Sequence, residues 1–100
     1  MSTNTDARNA AEASLQTLVA AVQAQPPGDA QQAFLDECAA LAVAIRTFHM
    51  EAIRFRMFNV DRTIARGIVT LPDAARAAFA DVRRHLEAAG FHTRSHQAPS

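Results

Sequence analysis

Residues 48–58 read FHMEAIRFRMF, a run in which large apolar side chains are mixed with two arginines and a histidine and no side is left polar. No proline or glycine interrupts the chain between Gly28 and Gly67, so the sequence predicts one long helix over about residues 29–67, extending roughly 55 Å at 1.5 Å per residue. On a wheel of about 100° per residue, the first half gathers Phe34, Cys38, Leu41, Ile45 and Phe48 into one narrow sector. The second half gathers Met50, Ile53, Met57, Val60 and Ile64 into another, nearly opposite. The apolar stripe changes face between Phe48 and Met50, and the quoted run is apolar all round because both faces are wanted there.

Two shorter helices are expected to fill those faces. The first spans about residues 6–25, with Ala11, Leu15, Leu18, Val19 and Val22 in one stripe. Gln25-Pro26-Pro27-Gly28 ends it, because proline cannot continue the ladder and disfavours helix at the residue before it. Asp29 and Gln32 then have the spacing of a capping box. After Gly67 a connection through Ile68 leads to a third helix over about residues 72–89, with Thr70 or Leu71 as its cap and Pro72 in its first turn. Ala75, Ala78, Phe79, Val82 and Leu86 form its stripe. Gly90 followed by Phe91 reads as a helix end whose next apolar residue folds back. The expected fold is all-α: a long central helix with shorter antiparallel helices packed on different faces of its two halves. Residues 1–91 form one helical domain, and 92–100 read as a disordered tail.

Composition agrees with this plan. A chain of 100 residues fits one small domain. The apolar fraction is 49 %, but 23 of those residues are Ala and only 22 are Leu, Ile, Val or Phe, which suits closely packed helices. All ten basic residues are Arg, a bias expected of a GC-rich bacterial genome. Net charge is zero, yet residues 1–45 hold one Arg against five carboxylates, and residues 46–100 hold nine Arg against five. The chain is a charge dipole of −4 and +4 along its sequence. Cys38, the single cysteine, gives no sign of an oxidising compartment. No run reaches the length of a membrane span and the N-terminus lacks the pattern of a signal peptide, so a cytoplasmic protein is expected.

Leu35, Val43, Phe55 and Phe58 fall outside the two stripes of the long helix. An apolar patch left outside the core usually marks an interface, and a homodimer is the expected occupant. Antiparallel pairing of two long helices would set the acidic half of one beside the Arg-rich half of the other, whereas parallel pairing would juxtapose like charges.

Sites for chemistry are few. His49 among Arg46, Glu51 and Arg54 resembles the exposed helical histidine of histidine phosphotransfer domains, but those follow it with Lys-Gly, and here Met50-Glu51 stands instead. Local pairs such as Asp81 with His85, His85 with Glu87 and His92 with His96 suggest metal binding, but no Glu-x-x-His of a di-metal bundle occurs. Arg54, Arg56, Arg62, Arg66, Arg83 and Arg84 form a candidate nucleic-acid face if they cluster on one side. On the wheel the four on the long helix point in several directions. With no phosphate loop and no convergent acid–base pair, no enzyme, metal or cofactor is expected. The sequence favours a non-enzymatic homodimer that acts by protein–protein interaction. A DNA- or RNA-binding regulator is the alternative, and a phosphotransfer or metal-binding protein using His49 or the C-terminal histidines is a second one.

Overall fold

The computed structural model describes residues 3–91, with side chains from Thr5 onward. The described residues fold into four helices: α1 (Thr3–Gln23), α2 (Asp29–Arg46), α3 (Met50–Ala65) and α4 (Asp73–Ala88). The expected continuous helix over 29–67 is therefore corrected to two, with α2 and α3 joined by Thr47, Phe48 and His49. The tail expected at 92–100 lies outside the described residues.

The helices run alternately up and down. Glu12 of α1 reaches Arg46 at the far end of α2, and Glu37 of α2 reaches Arg56 of α3 back across the joint. Phe91, after α4, meets Phe48 and lies near the start of α1, where Arg8 covers the Phe48 ring. Most of α4 packs against α1 rather than against the second half of a long helix, a second departure from the sequence plan. Along the chain the helices form two antiparallel hairpins, α1–α2 and α3–α4, the second tied by the Asp61–Arg83 ion pair rather than by close packing, and they meet through α1 against α4 and α2 against α3.

The break has identifiable local causes. Phe48 N–H donates to the Ile45 carbonyl and His49 N–H to the Ala44 carbonyl, both at 3.1 Å, which closes α2 in a Schellman turn. Such a turn needs a left-handed residue, and Phe48 supplies it at φ = +57°. The Thr47 hydroxyl donates back to the Val43 carbonyl at 2.9 Å, satisfying a helix-end acceptor. The His49 imidazole then accepts the Ala52 N–H through Nδ1 at 3.2 Å, so His49 is the N-cap of α3 and not a mid-helix residue. The ends of α3 and α4 repeat the turn with glycine in the left-handed position, Gly67 at +69° and Gly90 at +97°.

A left-handed phenylalanine costs roughly 1–2 kcal/mol. Burial outweighs it, because fully burying one large apolar side chain contributes roughly 1.5–3 kcal/mol. The bend lets α1, α2, α3 and α4 share one core that includes Leu15, Leu18, Phe34, Leu41, Ile53, Met57, Phe79 and Leu86. The resulting body measures 40 × 32 × 21 Å, shorter than the straight helix alone would be. Both wheel stripes point into this core except at the joint: Phe48 and Met50 remain largely exposed.

Two caps differ from expectation. Gly28, not Asp29, is the N-cap of α2, no side chain caps it, and Gln32 turns to Asp36 at 2.9 Å instead of closing a capping box. Pro72 itself is the N-cap of α4. Gln31 does unanticipated work: its side-chain amide donates to the Val22 carbonyl at 2.8 Å and the Gln25 carbonyl at 3.1 Å, holding the end of α1.

Candidate functional site

The side of α3 turned away from the core carries two exposed rings. Ile53, Met57 and Val60 point inward with no exposure, so helical periodicity sends Phe55 and Phe58, three residues apart, outward. Phe55 is 56 % exposed and Phe58 is 41 %. Arginines lie over both: the Arg56 guanidinium is 5.1 Å from the Phe55 ring centre and that of Arg62 is 5.4 Å from the Phe58 centre, within cation–π range. Glu51 and Arg54, paired at 3.7 Å, line the same shallow groove with the two rings. Arg56 is also held by Glu37 at 3.1 Å, and Asn59 donates to the same carboxylate oxygen at 3.2 Å.

The four residues expected at an interface are not one patch. Val43 is exposed in a neighbouring groove between α2 and α3, lined also by Thr47, His49, Ala52 and Arg56. Leu35 is half-buried, packed against the core beside the groove between α1 and α2. Phe48, Met50 and Ile68 are further exposed apolar residues that sequence reading did not single out. On the wheel Phe48 and Met50 belong to the stripes, and only the break at the joint brings them out.

The arginines do not form a basic face. Arg83 is buried, ion-paired with Asp61 and stacked over Phe79 at 5.4 Å. Arg84 pairs with Asp81 at 2.7 Å, and Arg54 and Arg56 are paired as described. Arg66 is the C-cap of α3. Three ion pairs each join consecutive helices: Glu12 to Arg46, Glu37 to Arg56, Asp61 to Arg83. In each the carboxylate comes from the earlier helix and the guanidinium from the later one. Two of the three, Glu12 to Arg46 and Glu37 to Arg56, join the acidic half of the sequence to its Arg-rich half within one chain.

For catalysis the described residues offer little. No group of three or more His, Cys, Asp or Glu side chains is gathered among them. Asp81, a candidate partner of His85, turns to Arg84. His92 and His96 lie outside the described residues. Cys38 is in the core, and burial, with a smaller contribution from the Glu37 carboxylate, pushes its thiol up to about 12. The thiol thus stays protonated until well above its ordinary value of 9.0, and a protonated thiol is a poor nucleophile. In the native protein a disulfide reagent at pH 8 should modify Cys38 only as fast as the core opens, and at once in denaturant. Because the unfolded chain loses this proton first, stability should fall as pH rises from 9 towards 12. Immediate native labelling would show that the thiol is accessible.

No helix of the described residues is long and apolar enough to cross a membrane. Compared with protein-family models, with curated proteins and with solved structures, the chain matches none.

Proposed function

We propose that this chain works by binding protein rather than by catalysis, as a homodimer whose contact face is the outer side of α3. The observation that carries this reading is the pair Phe55 and Phe58, exposed side by side with a guanidinium over each ring. Aromatic residues and arginine are the types enriched in interface cores. Glu51 and Arg54 give the face both charge signs, so a two-fold copy can set Arg54 against Glu51 of its partner, twice over. A scaffold, adaptor or regulatory role toward a further protein would use the same face.

The nucleic-acid alternative is less well supported. Arg54, Arg56, Arg83 and Arg84 each face a carboxylate of the same chain, which leaves fewer charges to neutralise phosphates. The phosphotransfer alternative would have to use His49, which is the N-cap of α3 through Nδ1 rather than a mid-helix residue and lacks the Lys-Gly expected after it.

Sedimentation velocity on wild type and on the double variant Phe55→Glu/Phe58→Glu tests the proposal. The wild type is expected to dimerise, and the double variant to stay helical and monomeric, with stability within about 0.5 kcal/mol because both sites are exposed. An unchanged dimer would remove these phenylalanines from the interface, and a wild-type monomer at about 1 mM would remove the homodimer itself. Titration with random duplex DNA over a salt series is expected to give no binding. A steep salt slope would favour the nucleic-acid reading instead.

A further inference from the structure

The joint at Thr47, Phe48 and His49 is where the fold conflicts with its own sequence. No glycine or proline stands there, and every residue from Asp29 to Arg66 can continue a helix. Of the three Schellman turns, only this one places a side-chain-bearing residue at positive φ. Straightening the joint would relieve Phe48 and continue the backbone ladder from α2 into α3. What it would break is the contact between the two hairpins: α1 against α4, α2 against α3, and the Glu37–Arg56 ion pair. Every one of those contacts can be remade with the other hairpin of a second copy. The Phe48–Phe91 contact and the Arg8 cover of Phe48 belong to the bent joint itself.

We infer that the joint is a swapping hinge: two copies straighten it, fuse α2 and α3 into one long helix each, and exchange hairpins. The partner is a second copy of this chain because no other surface reproduces the core stripes and the Glu37–Arg56 pairing together. Short joints under strain favour exchange of this kind. The two continuous helices then run antiparallel, with Glu37 of each against Arg56 of the other, and the two-fold axis passes close to the joint. The inference rests on the homodimer reading for its second copy, but carries the contact through the core stripes rather than through the outer side of α3.

Two substitutions at the joint act in opposite ways from a surface mutation. Met50→Pro suits the bent form, since Met50 is the first residue of α3 and His49 before it is extended at φ −98° and ψ 99°. In a continuous helix the same proline removes a ladder bond and clashes with the carbonyl of Arg46. Phe48→Gly removes the left-handed strain and weakens the straight form, and should raise the dimer dissociation constant about a hundredfold, roughly tenfold for each of two hinges.

Sedimentation and mixing of differently labelled chains give the test, with circular dichroism to check folding. Expected are a folded, monomeric Met50→Pro, the weakened Phe48→Gly dimer, and wild-type monomer and dimer that interconvert only at the rate of unfolding, faster on warming. If Met50→Pro does not fold, Phe48→Gly and the exchange rate decide. A dimer that survives both substitutions and re-equilibrates on mixing would overturn the swap while leaving a face-to-face homodimer through α3. Wild type and Phe48→Gly both monomeric at about 1 mM would overturn the swap and the homodimer alike.

Discussion

Replacing Phe34 with Ala is expected to lower the unfolding free energy by about 3–5 kcal/mol. Phe34 heads the fully buried side chains by volume, at 2 % exposure, and α2 presents it to the core shared by both hairpins. Truncation removes the transfer free energy of the ring and leaves a cavity that four closely packed helices close only in part. A domain of this size is stabilised by about 5–15 kcal/mol in total, so the variant should be marginal at 25 °C. Urea unfolding followed by circular dichroism measures the difference. A loss below about 1 kcal/mol would mean that the site collapses freely and that the core is loosely packed.

The second large effect is expected from Asp61→Asn. Arg83 is 7 % exposed, and the Asp61 carboxylate on α3 faces its guanidinium from the neighbouring helix. Removing the negative charge while keeping the shape leaves a buried cation poorly compensated, and should cost about 2 kcal/mol, discounted from the usual 3–5 because Asp61 is partly exposed. Arg83→Met should cost less than Asp61→Asn, since it removes the buried charge along with the pair and retains an apolar stem over Phe79. Thermal unfolding of the two variants gives the order. The reverse order would show that the arginine stem, rather than its charge, holds α4 in place.

Much of this was legible in the sequence. The stripes of α1 and α4 read correctly because they obey one period from end to end, and Pro26-Pro27 and Gly90 mark ends by rules that need no tertiary context. The switch of face between Phe48 and Met50 was legible too, but its consequence was not. A face switch is compatible with a straight helix that receives a different partner on each half or with a bend that brings the halves together. What decides is the shared core, a property of all four helices at once. The local signals of the bend were equally hard to read: a left-handed phenylalanine in place of glycine, and a histidine in place of the usual Ser, Thr, Asp or Asn cap. The dipole points to antiparallel pairing of two chains, and two of its ion pairs, Glu12–Arg46 and Glu37–Arg56, are already formed within one chain folded back on itself. Of the candidate interface, periodicity found Phe55 and Phe58, whereas Leu35 could not be recognised as half-buried without knowing how α1 lies against α2.

That two copies take over each other's hairpin contacts is tested most directly by one distance. Glu37 lies against Arg56 and Asn59. If the same contacts form between copies, Asp36 of one sits beside about position 58–60 of the other, some 22–24 residues along a continuous helix from that copy's own Asp36. A spin label at Asp36→Cys in a Cys38→Ala background should therefore give an intermolecular separation of about 33–36 Å at 1.5 Å per residue. A separation below about 25 Å, roughly two helix diameters, in a sample that sediments as a dimer would place the long helices parallel and contradict the swap.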